Sequence, residues 1–582
     1  MVEGAGREAL RRFPFVFVEG RARRPDVISV GCGPKRIASI PQKCQKWCEL
    51  PAGTLCAMLT AETARVVERR DGSSNGTKRK GAVSAVSARN WPEWCCLIAY
   101  AVLVASMVPF HEPWADEAQA WILARSLTLR PLFHTYIGYE GSPGLWYLLL
   151  RCLIRLHVSY SGMRWFAGAF AVGGMSVLVM CSPFPRWIRL SLPFTFFFAY
   201  QYAIVARSYV LVPLLLFSTL AVWRRSPIIV AFFLGLLGNV ALHAAAISTG
   251  FAILYGLDCA SRIRRRLEGP TKVQLSVAVA LLIGMFLFAA WSALPGRDSS
   301  YISGVMNAAT FHPANKTVPP WTLRFAARLF APILWVWFPW VLGLIGWPLL
   351  VIGIGGRGGA RLLVASLPFL LFCGAVYATF WHAGLLVPLT IGALWLIWNE
   401  DSPPVRRKVG LRNIALGILI TGQIAGTAYA GVYDHYHDYS PGLKTARFLK
   451  SCVDSGGKVA VTDLQDPRVA PFQSVAIAPY FGGKLFVNQE TAFWWWSTKD
   501  RTEARFPVVL QNKPSAVVAL YVDQTAFDPG RDLTGPTAEL LASLGYRFAA
   551  SFCGTMPLGL HPSGYTCEVV FTPSGQNLQT GY

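Results

Sequence analysis

The chain has 582 residues, of which 53% are hydrophobic, 13% aromatic and only 15% charged. A soluble protein of this size carries about a quarter charged residues, so the composition excludes a soluble enzyme, a disordered hub and a fibrous protein. The net charge of +23 comes from 54 Lys and Arg against 31 Asp and Glu, but the cations cluster in short stretches between apolar segments. That is the pattern of the cytoplasmic face of a membrane protein, and it argues against nucleic acid as a partner.

Residues 1–90 hold 17 Lys and Arg against 8 Asp and Glu, in runs such as REALRRF and GSSNGTKRKG. No stretch there is long and apolar enough to span a bilayer, and no secretory leader is evident. This region reads as a basic, poorly ordered cytoplasmic extension. Cys32, Cys44, Cys48 and Cys56 lack the paired CxxC units of a zinc site. Lys78, Arg79, Lys80 and Arg89 precede the first apolar span and set it to run from inside to outside.

Residues 91–432 read as a membrane domain. Apolar spans follow at 94–110, 143–158, 165–182, 187–205, 208–223, 227–256, 274–294, 326–350, 361–381, 383–398 and 412–432. The piece at 227–256 fits either one tilted helix or a tight pair, which gives about 11–12 transmembrane helices. In the second half, the cations at 262–266, Arg357 with Arg361, and those at 405–412 fall on one side, the cytoplasm, which leaves residues after 432 outside. In the first half the count does not close. Four segments separate the outer loop 111–142 from Arg224 and Arg225, where an odd number is required; either one segment is re-entrant, or that arginine pair lies outside.

The loop beginning HEPWADEAQAW is neither apolar enough to span nor polar enough to be a linker. Pro113 suits the first position of a helix, and Trp114, Ala118, Trp121 and Arg125 recur at helical spacing, as in an amphipathic helix lying at the interface. Asp116 and Glu117 then sit where a lipid-linked substrate presents its head group. They also suit the first turn of a helix for purely electrostatic reasons, and spacing alone does not choose between the two readings. Further along, Arg207 in AYQYAIVARSYVL is either a phosphate ligand or a snorkelling interfacial cation. His243 and His382 lie in or beside apolar spans, where an imidazole lines a cavity or is satisfied by another helix's backbone.

From 433 to 582 the composition becomes that of a soluble domain. KVAVTDL, VAIAPYF, KLFVN, SAVVALYV and YTCEVVF read as short strands and TAELLASLGY as a helix. The fold expected for the whole chain is therefore an all-α polytopic membrane protein with a small C-terminal extracytoplasmic α/β domain. Cys452, Cys553 and Cys567 offer one disulfide in such a setting, with the pairing open. Trp494, Trp495 and Trp496 suit sugar stacking, lipid contact or plain packing. No P-loop, dinucleotide fingerprint or nucleophile elbow has the required flanks.

The order of one helix, then HEPWADEAQAW, then YEGSPGLWYLL opening the next helix resembles the GT-C membrane glycosyltransferases. The likeness covers about 94–432 and is greatest to bacterial proteins that use polyprenyl-phosphate sugars, such as mannosyl- and aminoarabinose transferases. It implies a multi-pass enzyme of the plasma (inner) membrane that moves a sugar from a polyprenyl-phosphate carrier to a glycan, lipid or protein acceptor. By that likeness Asp116 takes the proton from the acceptor hydroxyl, with Glu117 as its catalytic neighbour. Glu140, Arg207 and Tyr209 match substrate-binding positions, and His243 and His382 join them as pocket candidates. Ser142 stands in EGSP where relatives often have His, so no histidine role carries over there. A divalent metal is possible, since some family members use one, but adjacent carboxylates on a helix diverge by about 100° and do not imply one here. The rival reading is a transporter or lipid flippase. It calls for internal repeats and ionisable residues near mid-span, and the sequence has few of these.

Overall fold

The computed structural model describes residues 90–265, 270–295, 321–398, 406–467, 472–489, 491–493, 510–525 and 527–575. The expectations for residues 1–89 and for Trp494 to Trp496 lie outside these. The helical part opens with α1 (Trp91–Met107), whose Pro92 falls in the first turn, where its missing N–H costs nothing. It continues through α2 (Ala115–Ser126), α3 (Leu145–Arg155), α4 (Met163–Cys181), α5 (Leu211–Ala221), α6 (Pro227–Gly238) and α7 (Leu242–Arg264). There follow α8 (Lys272–Ala293), α9 (Trp321–Trp335), α10 (Gly343–Ala375), α11 (Leu386–Trp398) and α12 (Arg406–Tyr436).

Among the described residues, six helices are long and apolar enough to cross a membrane: Met163–Cys181, Leu242–Arg264, Lys272–Ala293, Trp340–Ala375, Phe380–Trp398 and Lys408–Tyr436. Trp91–Met107, Ser208–Ala221 and Pro227–Gly238 are apolar but shorter. The eleven or twelve apolar segments of the sequence thus become six full-length and three shorter apolar helices among the described residues. Phe380–Trp398 is 89% buried and forms the centre of the bundle, whereas Lys272–Ala293 is 11% buried and turns its apolar side chains outward, as a lipid-facing helix does.

Breaks in the chain explain most of the difference. The segment 227–256 is a pair of helices, α6 and the start of α7. Gly355, at φ +72°, breaks α10 in a conformation that side chains with a Cβ rarely adopt. At Gly250 a Cβ would stand 2.2 Å from the Ala365 carbonyl oxygen, so α7 and α10 touch through backbone. Arg361 Nη2 of α10 pairs with Asp258 Oδ1 of α7 at 2.9 Å, and Gly353 of α10 abuts the backbone of Arg412 of α12.

The segment 187–205 is not a continuous helix. It folds as a short helix Arg186–Ser191, a 3-10 turn Leu192–Phe194 containing Pro193, and a π turn Phe197–Gln201. Irregular backbone at membrane depth is tolerated only where protein supplies the hydrogen bonds. Here Tyr100 donates to the Phe198 carbonyl at 2.6 Å, Thr427 to the Phe194 carbonyl at 2.8 Å, and Gln423 accepts from the Phe197 N–H at 3.4 Å. The start of this segment is tied to α1 by buried Glu93, 2.6 Å from Arg189 Nη2 and 3.1 Å from Arg186 Nε.

The C-terminal domain begins after α12 ends at Tyr436. It contains α13 (Gly442–Asp454), β1 (Val459–Asp463), β2 (Ala516–Asp523), α14 (Pro536–Ser543), β3 (Tyr546–Leu558) and β4 (His561–Pro573). The sheet order is β1-β2-β4-β3, with β1 parallel to β2 and the other pairs antiparallel. One face packs on α14 through Val517, Ala519, Val569 and Leu541; the other packs on α13 through Val461, Val518, Val570 and Leu449. KVAVTDL, SAVVALYV and YTCEVVF supply β1, β2 and β4. VAIAPYF forms two 3-10 turns, Phe472–Ala476 and Ala478–Tyr480, and KLFVN contributes a single bridge at Phe486. Val475 and Ala478 pack into the core of the helical part and Ile477 into that of the C-terminal domain, so the run is buried without pairing as a strand. Cys553 and Cys567, directly opposite in β3 and β4, form the disulfide, and Cys452 is free.

Candidate functional site

The acidic loop starts α2 two residues later than expected, with Trp114 as N-cap and Ala115 first in the helix. Glu117 reaches back to the Trp114 N–H at 3.1 Å, which satisfies a donor that a helix start leaves free. The helix is not amphipathic as expected, with one face left open: α2 is buried from Glu117 through Ala124. The cover comes from the C-terminal domain, where Tyr480 stacks edge-on against Tyr160, Tyr160 against Trp121, and Arg125 donates to the Pro479 carbonyl at 3.3 Å.

Asp116 and Arg207 come together. Arg207 Nη2 lies 2.6 Å from Asp116 Oδ2, with the two side chains 18% and 22% exposed. Arg207 follows the broken segment and stands extended just before the 3-10 turn Ser208–Val210 that opens α5. Its guanidinium lies over three aromatic rings, at 5.2 Å from Tyr209, 5.6 Å from Trp381 and 5.9 Å from Trp114. Burial pushes the Asp116 carboxyl above the usual range; Arg207 opposes this and Glu117 adds to it. A carboxyl so placed can take a proton, and a guanidinium so placed can hold an oxyanion.

The other candidates gather around this pair. Tyr209 packs edge-on against His382 at 5.4 Å, and His382 stacks on His243 with ring centroids 4.1 Å apart. His243 bonds the Tyr377 carbonyl at 3.1 Å and His382 the Tyr377 hydroxyl at 3.3 Å, while Tyr202 donates to the Trp381 carbonyl at 2.6 Å. Glu140 accepts from Gln119 Nε2 at 2.8 Å and, with Asp116 and Arg207, lies within electrostatic reach of Tyr147.

Glu117 has a different place from Asp116. It is fully buried; Oε1 accepts from the Ala206 N–H at 2.7 Å, and Oε2 lies 3.3 Å from His111 Nε2. With both oxygens engaged, it is closed to an acceptor. The two adjacent carboxyl groups thus have different partners.

Residues without a role in the sequence reading complete the arrangement. His111 is fully buried between Glu117 and Asp434, with Nδ1 3.3 Å from Asp434 Oδ2. Burial lowers its pKa, but the charge of Glu117 and the contacts with Asp434 outweigh this and raise it to about 9. Nothing local in the sequence links His111 to Asp434, at the end of α12. Trp381 had a signal, since it stands beside His382 in FWHAG. Asp434 also borders a cleft of about 420 Å³ lined by Glu112, Arg164, His435, Asp438, Lys444 and Arg447. There, burial foremost and then Asp438 raise Glu112 to about 7 against the pull of Lys444 and Arg447.

No protein-family model, curated protein or solved structure matches the chain.

Proposed function

We propose that this chain is a GT-C-like integral membrane glycosyltransferase that moves a sugar from a polyprenyl-phosphate carrier to a glycan, lipid or protein acceptor on the extracytoplasmic side of the plasma membrane. The observation that carries the reading is the meeting of Asp116 with Arg207, 2.6 Å apart and one-fifth exposed, beside the aromatic rings of Trp114, Tyr209 and Trp381. Asp116 takes the proton of the acceptor hydroxyl. The acceptor oxygen forms its bond to the anomeric carbon as the bond from that carbon to the carrier phosphate oxygen breaks. The electron pair leaves with the prenyl phosphate, whose charge Arg207 stabilises. Tyr209, Trp114 and Trp381 hold the guanidinium, and His382 on His243 backs Tyr209. Glu140 orients the neighbourhood through Gln119, and Glu117 holds the backbone that carries Arg207. The disulfide between Cys553 and Cys567 supports an extracytoplasmic domain, since such bonds persist in oxidising compartments. A transporter reading gains less, because the charged pair lies at helix starts, Asp116 in the first turn of α2 and Arg207 just before the 3-10 turn that opens α5, rather than in the middle of a span.

The test is transfer of labelled sugar from polyprenyl-phosphate donors to a cell-envelope extract by purified protein in liposomes. Transfer by wild type that Asp116→Asn abolishes is the expected result. Folded protein that transfers from none of the donors, or Asp116→Asn at full activity, overturns the reading.

A further inference from the structure

We infer that Asp116 occupies, in the unliganded protein, the anion site that the donor phosphate takes, so that donor binding exchanges the partner of Arg207 and releases the base. The inference rests on the proposed polyprenyl-phosphate donor and adds an order of events to it. The Arg207 guanidinium has aromatic rings of Trp114, Tyr209 and Trp381 close about it, which leaves its N–H edge as the part open to an anion. That edge already holds a carboxylate, Asp116 Oδ2 at 2.6 Å. The second carboxyl nearby cannot yield or compete, because Glu117 is bound to Ala206, Trp114 and His111. Asp116 is therefore the side chain that moves when another oxyanion arrives.

Two further features point to such an oxyanion. The indole N–H groups of Trp114 and Trp381 are buried and find no acceptor among the described residues. Both partners of the ion pair keep about one-fifth of their side-chain surface exposed, so a ligand reaches both from the same opening. Arg207 works against the push of burial on Asp116, so the pairing lowers the proton affinity that the buried carboxyl would otherwise have. Once phosphate compensates Arg207, Asp116 is left in a poorly solvated setting without its counter-charge, and its affinity for a proton rises. Donor binding then precedes proton transfer by construction, and the base stays masked while the donor is absent.

The experiment compares binding of a short-chain prenyl phosphate and of the matching prenyl alcohol to the purified full-length protein in detergent, for wild type, Asp116→Asn and Asp116→Ser. Wild type is expected to prefer the phosphate. Both variants are expected to bind the phosphate on the order of tenfold more tightly than wild type while binding the alcohol equally. The alcohol affinity reports that each variant is folded, and the second variant answers if one is not. Variants that bind the phosphate no more tightly than a phosphate-preferring wild type overturn the exchange and leave the donor reading standing. No preference for phosphate in any of the three proteins overturns the donor reading and the exchange with it.

Discussion

Asp116 and Glu117 are neighbours in the chain, yet Asp116 pairs with the side chain of Arg207 at 2.6 Å while Glu117 accepts the backbone N–H of Ala206 at 2.7 Å. The two contacts fall on adjacent residues of the same extended stretch. One carboxyl meets the cation, and the other fixes the peptide that carries it.

This division predicts different losses. Glu117→Gln leaves His111 with one charged partner in a fully buried place, so it is expected to destabilise the protein by about 3 kcal/mol, seen as a lower melting temperature in detergent. Asp116→Asn, in a part-exposed pair, is expected to change stability by less than about 1 kcal/mol while removing transfer. Equal melting of wild type and Glu117→Gln would take Glu117 out of its holding role.

His111 gives the same cluster a pH dependence. Its folded pKa of about 9 lies above the ordinary 6.5, so the protonated form is the one the fold stabilises. That stability is fully present below about pH 6.5, falls as pH rises, and is gone above about pH 9, a loss on the order of 3 kcal/mol. His111→Gln removes the titration. The difference in melting temperature between wild type and this variant is expected to shrink between pH 6 and pH 9.5; a difference that does not vary with pH contradicts the assignment.

How much of this was legible follows from where the partners lie. Spans such as Met163–Cys181 are visible because their apolarity is local. The segment 187–205 has the same apolarity, but Pro193 and the supporting side chains of Tyr100, Gln423 and Thr427 turn it into a buried irregular stretch, and those supports lie on α1 and α12. The site residues Asp116 and Arg207 could be named from the loop and the signature around them. Their pairing depends on how α2 and the broken segment meet, and the burial of α2 depends on residues 472–480 in another domain. The link from His111 to Asp434 carries no local pattern at all.

Glu568 lies in β4 between Leu520 and Phe552 of its neighbours, fully buried and beside Thr445 of α13. Burial foremost, with a further push from Glu112, raises its carboxyl to about 8. An acid whose folded pKa is raised is disfavoured once ionised, so stability falls as pH rises from about 4.5 through 8. Glu568→Gln removes that fall. It is expected to be more stable than wild type at pH 8.5, on the order of 5 kcal/mol, and close to wild type at pH 4.5. A variant that melts below wild type at pH 8.5 shows that the charged form is accommodated.

The disulfide makes the sidedness of the C-terminal domain measurable. Cys553 and Cys567 face each other across β3 and β4 and close a connection of 14 residues, worth about 3 kcal/mol by loop entropy. If the domain lies outside the cytoplasm, cells quenched with an alkylating agent are expected to yield protein in which these two thiols react only after reduction. The Cys553→Ser, Cys567→Ser double variant supplies the background from buried Cys452 and the remaining cysteines. The same variant is expected to melt lower, because the two strands lose their cross-link while the flanking cores of Val569 and Val570 stay packed. Thiols at 553 and 567 that react without reduction in freshly quenched cells place the domain in a reducing compartment, which is incompatible with a donor and acceptor meeting on the outer face.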